Sequence, residues 1–177
     1  AEVLPLFLEV FEAVPLFRSS PPIDRIVQAV LDICARSPFS PTVDKATLYC
    51  LCSLVWRGRI SEVAPLWIRL YCKGRGKRTP EMQQTHRAFL GVLHYLTGKL
   101  SRAVRIFDAL GGDTERLPDD IVLLEYHLLM AHCYALSGRV ARAISLIDSI
   151  RTHAHLNHRS DVEAWSLGTL GIILIES

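Results

Sequence analysis

Residues 93–107 read LHYLTGKLSRAVRIF, and residues 133–147 read CYALSGRVARAISLI. Each stretch has an apolar run, a glycine next to a basic residue, and then an Arg-Ala pair followed by more apolar residues. A weaker copy, LVWRGRISEVAPLW, occupies residues 54–67, so that Gly58, Gly98 and Gly138 recur every 40 residues. Self-similarity at a fixed period of this size indicates a repeat architecture.

Each copy has the pattern of a helix, a glycine turn and a second helix. Glycine suits the end of a helix because it adopts positive φ without steric cost, and the neighbouring basic residues favour the carbonyl end of that helix. The apolar residues that follow are spaced by four and three, which places them on one helical face. In the three copies these are Val63, Trp67 and Leu70, then Ala103, Phe107 and Leu110, then Ala143, Ile147 and Ile150. We therefore predict antiparallel helical hairpins.

The 40-residue period also predicts how the chain is divided. Full hairpins are expected at residues 44–80, 81–120 and 121–160, with a degenerate hairpin at residues 1–43 and the first helix of a truncated repeat at residues 161–177. Small residues, Gly91 and Ala131, stand at the same place in two first helices, where they let the paired helix approach closely. Gly171 stands at that place in the last segment.

Composition excludes several classes of function. Half of the 177 residues are hydrophobic and the mean hydropathy is +0.23, yet no run reaches the roughly 18 uninterrupted apolar residues of a membrane helix. A net charge of +2 is too small to favour nucleic acid as a partner. Five cysteines without a CxxC pair, and a start without the basic segment of a secretion signal, favour a cytoplasmic localisation.

Two local clusters have side chains that could form chemical sites. RTHAHLNHRSD, residues 151–161, holds three histidines that could bind zinc, and CKGRGKRTP, residues 72–80, holds four basic residues that could contact phosphate groups. Neither has the spacing of a known metal or phosphate motif, so we interpret them as a solvated loop and a flexible linker. We predict no catalytic residues, no metal and no cofactor, and hence no enzyme.

The repeats resemble the tetratricopeptide repeat (TPR) over about residues 44–177. The resemblance rests on seven positions and the turn glycines: Gly91, Ala131, Gly171, Tyr134, Ala103, Ala143 and Phe107. It implies an all-α fold, a right-handed superhelix of stacked antiparallel hairpins (an α-solenoid). The period is 40 residues rather than about 34, and the family's tryptophan is replaced by Thr47, Arg87, His127 and Leu167. HEAT repeats, of about 40 to 47 residues, are the alternative architecture.

The resemblance also implies a site and a function. In the family the first helix of each hairpin lines a concave groove, which here implies a partner-binding groove with Trp56, Val92, Tyr95, Leu128, His132 and Trp165. Its apolar character favours an apolar helix or a small ligand over a peptide carboxylate, and the aromatic residues could instead fill the inner wall of the superhelix. An exposed end face of Ile172, Ile173 and Leu174 is expected to mediate self-association.

The predicted function is a non-catalytic scaffold for protein–protein interaction. Its partner would be a protein, a peptide or a neighbouring domain of the same chain. Long repeats of this type resemble those of bacterial signalling ATPases and transcription regulators of the maltose-regulator kind, which implies a role in signal transduction or transcription regulation. The alternative is an effector-sensing domain that binds a small ligand in the groove.

Overall fold

The computed structural model describes residues 3–13, 23–110 and 121–176, and within these ranges every regular element is an α-helix. In chain order the helices are α1 (Val3–Ala13), α2 (Ile23–Arg36), α3 (Pro41–Trp56), α4 (Ile60–Lys73), α5 (Pro80–Leu96), α6 (Leu100–Ala109), α7 (Ile121–Leu136), α8 (Val140–Leu156) and α9 (Ser160–Glu176). They form two compact units, Ala1–Glu81 and Met82–Ser177. The turn expected between the first two helices and the connection at 111–120 lie outside the described residues.

Unit 1, residues 1–81, is built around α3. This helix begins at Ser40, whose hydroxyl accepts a hydrogen bond from the Val43 amide at 3.2 Å, and Pro41 occupies the first turn, where its missing N–H is tolerated. Helices α1, α2 and α4 all pack against α3, so its side chains are buried on most sides. The rings of Phe11 and Tyr49 lie 5.0 Å apart in the resulting core.

Unit 2, residues 82–177, is built around α7. Apolar residues are distributed around the whole circumference of this helix, and α6, α8 and α9 pack against it. The rings of Phe89 on α5 and Tyr126 on α7 lie 5.8 Å apart. A helix that is apolar all round needs cover on all sides, and the stacking of hairpins supplies it.

The glycine turns adopt the conformation that the sequence predicts. Gly58, Gly98 and Gly138 have φ values of 72°, 73° and 80°. At each turn the glycine amide bonds to a carbonyl three residues back, and the next amide bonds to one five residues back. In the last copy Gly138 donates to Ala135 at 2.9 Å and Arg139 donates to Tyr134 at 2.9 Å. This is a Schellman cap, which satisfies the last carbonyls of the first helix. The helix–glycine turn–helix prediction is confirmed.

The small residue in the first helix also has the predicted role. A Cβ placed on Gly91 would lie 2.5 Å from the ring of Phe107, so only glycine lets α6 approach α5 this closely. Ala131, at the same place in α7, is fully buried. At Gly171 a Cβ would meet no heavy atom within 4 Å. The same position is therefore covered in α5 and α7 and open in α9.

The basic segment at residues 72–80 is not the flexible linker that we expected. The Lys73 ammonium donates hydrogen bonds to the carbonyl oxygens of Cys34 (2.9 Å), Ala35 (3.0 Å) and Ser37, at the end of α2. A cation at this place complements the negative end of the helix dipole. Lys73 therefore ties α4 to α2.

The second basic residue of this segment that points inward is Arg78. Its guanidinium is buried, forms a two-point ion pair with Asp44 (2.7 Å for Nη2 to Oδ1), and donates to the carbonyls of Tyr71 (2.8 Å) and Leu70 (3.0 Å). It also lies over the rings of Phe39 and Tyr71. Sequence reasoning treated the four basic residues alike because local composition does not show which of them meet a carbonyl or carboxylate from another helix.

The histidine-rich segment also differs from the expected loop. Helix α8 continues to Leu156, so the half-buried His153 and the exposed His155 lie in its last turn. His158 follows in the turn with a φ of 54°. Within the described ranges no three His, Cys, Asp or Glu side chains are grouped as a metal site would require. None of the helices that the structure describes has the length and apolar character needed to cross a membrane.

Candidate functional site

The structure brings Tyr95 and His132, two of the predicted groove residues, into direct contact. Tyr95 lies near the end of α5 and His132 lies on α7, and the tyrosine hydroxyl is 2.8 Å from Nδ1 of the imidazole. The two rings meet edge to face with their centroids 5.8 Å apart. Both side chains are half-buried. They meet because α5 and α7 are the first helices of consecutive hairpins.

Two other groove residues, Val92 and Leu128, are buried. They lie on the same faces of α5 and α7 as the Tyr95–His132 pair, each about one turn away. Because both side chains are almost inaccessible to solvent, they contribute to packing between helices and offer little area to a partner.

The two tryptophans of the predicted groove are both accessible. Trp165, in the second turn of α9, is 38% exposed, and Trp56, the last residue of α3, is 52% exposed. Trp165 belongs to unit 2 with the Tyr95–His132 pair, whereas Trp56 belongs to unit 1. Each unit therefore presents at least one large aromatic side chain from a first helix.

The predicted end face on α9 divides between two sides of the helix. Ile172 is 49% exposed and Leu174 is 60% exposed, but Ile173 is fully buried. Successive residues of an α-helix are rotated by about 100°, so three consecutive residues cannot share one face. Ile173 packs inward, on the side where α9 meets α7 and α8, and Ile175, which is 87% exposed, adds to the outer side.

A basic cleft on unit 2 was not found by sequence reasoning. It has a volume of about 450 Å³, and it is lined by Arg87, Leu90 and His94 from α5 and by Arg102, Arg105, Ile106 and Ala109 from α6. Burial, Lys99 and Arg102 lower the pKa of His94, so the imidazole is neutral near pH 7. The residues come from two helices and share no local motif, so only the spatial arrangement could have shown the cleft.

Asp108, near the end of α6, links two hairpins of unit 2. Its carboxylate accepts hydrogen bonds from Arg139 and Arg142, each at 2.8 Å, and from the Tyr134 hydroxyl at 3.3 Å. Partial burial acts to raise the pKa of Asp108, but Arg139 and Arg142 outweigh it and hold that pKa below its usual range. Burial, with smaller contributions from Asp108, raises the pKa of Tyr134 to about 12. The network therefore joins the end of α6 to the hairpin of α7 and α8.

Four of the five cysteines are enclosed in the protein. Of the five thiols, those of Cys34, Cys50, Cys52 and Cys133 are buried and only Cys72 is exposed. Burial raises the pKa of Cys50, and it raises that of Cys133 to about 11. A thiol is nucleophilic only as the thiolate, so these buried groups are inert near pH 7.

The fold of this chain is similar to that of a solved structure. A crystal structure of nearly identical TPR-like repeats of a putative kinesin light chain from Podospora anserina matches with a TM-score of 0.57 and 14% sequence identity. The match covers 93% of this chain and 83% of that chain. No protein-family model matches, and no curated protein sequence matches. The chain therefore has an all-α fold of TPR-like helical-hairpin repeats, and the α-solenoid prediction is confirmed.

Proposed function

We propose that this chain is a non-catalytic module for protein–protein interaction, which binds an apolar helical segment on the first helices of its hairpins. The observation that carries the proposal is the Tyr95–His132 contact between two first helices of unit 2, and the accessible Trp165 on a third first helix supports it. Large aromatic side chains contribute much of the binding energy at protein interfaces, especially beside a polar group that fixes orientation. Trp56 supplies a similar anchor on unit 1.

The wider context that we propose is a cytoplasmic regulatory or signalling protein of the bacterial maltose-regulator kind. The supporting features are the long 40-residue repeat and five cysteines without a CxxC pair. In such a protein the hairpins present a surface and a separate domain carries the output. Residues outside the 177 would identify that domain.

The interaction is tested by selecting amphipathic helical peptides that bind the purified chain and then measuring their affinity for variants. We expect Trp165→Ala and Tyr95→Ala to weaken binding by at least about tenfold, which is typical of a central interface residue. Tyr95→Phe keeps the ring but removes the hydrogen bond to His132, so we expect a smaller loss.

The matched control is Leu156→Ala, which removes a side chain that is 72% exposed at the end of α8, a second helix. We expect it to leave affinity unchanged. Equal losses for Leu156→Ala and Trp165→Ala would contradict binding on the first helices. Failure to select any peptide above background would contradict the interaction module itself.

The basic cleft favours a second candidate function, the binding of a small anionic effector. A cleft of about 450 Å³ has the size of a ligand site, and three arginines over an apolar floor suit an anion with an apolar part. A thermal-shift screen with such anions should raise the melting temperature at saturating ligand. Arg102→Ser with Arg105→Ser should abolish that rise, whereas Arg69→Ser, an exposed arginine on α4, should preserve it.

A further inference from the structure

The outer face of α9 is unusually apolar for a helix in contact with water. Residues 164–175, AWSLGTLGIILI, contain no charged side chain. Four large apolar residues of this stretch, Leu167, Ile172, Leu174 and Ile175, are about half exposed or more. A helix that is apolar on every side is characteristic of a buried position, because the apolar area it would expose is unfavourable in water.

Helix α7 shows what kind of cover α9 would need. It too is apolar all round, and it is covered by α6, α8 and α9. In the part of the chain that the structure describes, α9 packs mainly against α7 and α8. Leu174 of α9 stands 40 positions after Tyr134 of α7, and it is 60% exposed, whereas Tyr134 is 1% exposed.

Gly171 marks the place on α9 where a partner helix would pack most closely. Gly91 on α5 faces Phe107 on α6, sixteen residues later, and the ring occupies the space where a Cβ would be. On α7 and α8 the corresponding pair is Ala131 and Ile147, both fully buried. In unit 2 a glycine thus goes with the larger phenylalanine and an alanine with the smaller isoleucine. Gly171 is therefore suited to a phenylalanine-sized partner.

We propose that the outer face of α9 is a docking site for one amphipathic α-helix of another protein. This helix lies on α9 as α6 lies on α5, with a phenylalanine or a side chain of similar size over Gly171. By analogy with Ala103, Phe107 and Leu110, it carries a small residue four positions earlier and an apolar residue three positions later. This surface is centred on Gly171, whereas Trp165 of the proposed binding site lies about 120° around α9 from it.

The test supplies such a helix by fusion. Residues 98–110, GKLSRAVRIFDAL, are appended directly after Ser177, so that the appended glycine follows Gly171 by seven residues, as Gly98 follows Gly91. A second version carries Phe107→Ile in the appended copy only. Each version is joined to the unchanged chain and to a Gly171→Ala chain, which gives four proteins with matched composition. The melting temperature of each is compared with that of the same chain without the appended helix.

We expect the phenylalanine version to raise the melting temperature of the unchanged chain by about 3–6 °C, and to lose most of that gain with Gly171→Ala. The isoleucine version should instead raise the melting temperature more in the Gly171→Ala chain than in the unchanged chain, because an alanine goes with an isoleucine in the Ala131–Ile147 pair. Circular dichroism should show added helix wherever the melting temperature rises. No rise in any protein, or an equal rise in all four, would overturn the proposal.

Sedimentation tests the competing occupant, a second copy of the chain. Exposed Ile172, Leu174 and Ile175 are expected to cause weak self-association when no helix covers them, and the appended helix should convert the protein to a monomer. An assembly that persists unchanged with the appended helix would show that a second copy occupies the face, and it would overturn docking of a foreign helix.

Discussion

At the scale of single residues, α8 ends on a side chain that breaks the glycine pattern of the other turns. His158 donates its amide to the His155 carbonyl at 3.2 Å, and Arg159 donates to the Ala154 carbonyl at 2.8 Å. These are the two hydrogen bonds seen at Gly138, but at φ 54° a residue with a Cβ is in the left-handed region. That conformation costs about 1 kcal/mol for a residue other than glycine.

We expect His158→Gly to raise the free energy of unfolding by up to about 1 kcal/mol, with part of the gain offset by the greater freedom of glycine in the unfolded chain. The reciprocal change, Gly138→His, should lower it by about the same amount or more. Urea unfolding measures both. A shift in the same direction for the two variants would show that positive φ is not the controlling factor.

A second prediction at this scale concerns the buried ion pair of unit 1. Arg78→Ala leaves the Asp44 carboxylate buried without its main cationic partner and also removes two donors from the end of α4. Breaking a buried pair in this way costs about 3–5 kcal/mol. Lys77→Ala, the change of an exposed neighbour, should stay within about 0.5 kcal/mol of the unchanged protein.

Fluorescence during urea unfolding reports on unit 1 if Trp165→Phe is the common background, because Trp56 and Trp67 then remain. Equal midpoints for the Arg78→Ala and Lys77→Ala proteins would contradict a structural role for the arginine.

At the scale of helices, Gly91 lets α5 and α6 approach closely at the Phe107 ring. Gly91→Ala places a methyl group 2.5 Å from the Phe107 ring, and such overpacking costs about 1–3 kcal/mol. The same change at Gly171 meets nothing within 4 Å and should instead stabilise α9 by up to about 1 kcal/mol, because alanine favours a helix over glycine. Thermal unfolding of the two variants should therefore move in opposite directions; a loss at both positions would show that Gly171 is covered.

Helix pairing could be predicted from the sequence because the turn glycines and the apolar spacing both follow the same 40-residue period. The structure of the segments between the hairpins could not be predicted in this way. The segment 72–80 looked solvated because its charges are local and visible, whereas their partners, Asp44 and the carbonyls ending α2, are more than thirty residues away. The extent of α8 was underestimated because histidine has only a weak preference for or against helix.

At the scale of the whole molecule, the ion pairs make stability depend on pH. The pKa values of Asp108 and Asp161 are both lowered in the folded protein. Partial burial acts to raise them, but hydrogen bonds and charge from Arg139 to Asp108, and from Arg159 to Asp161, outweigh it. A carboxyl group with a lower pKa in the folded state contributes stability above its unfolded pKa, near 3.9, and loses it as the pH falls through the folded pKa.

The free energy of unfolding should accordingly decrease as the pH falls below about 4. Asp108→Asn should remove part of this dependence, by less than about 1 kcal/mol because the carboxylate is one-third exposed and screened by solvent. Equilibrium unfolding at a series of pH values measures the slope. An identical slope for the unchanged and Asp108→Asn proteins would rule out a contribution from this network.

The candidate site was predictable to the extent that it follows the repeat. Tyr95 and His132 were assigned to one surface because they lie on equivalent helices, and the structure puts them in contact. The burial of Val92, Leu128 and Ile173 was not foreseen, because a repeat pattern shows which way a side chain points but not whether another helix covers it. The arginine cleft was missed for a related reason, since its residues come from different helices.

The single accessible thiol gives the molecule a practical property. Cys72 lies at the end of α4, while the other four thiols are enclosed in the helical cores. A maleimide dye or spin label should therefore attach at one place in the native protein without any prior engineering. Air oxidation should likewise link at most two chains together, through that one sulfur on each.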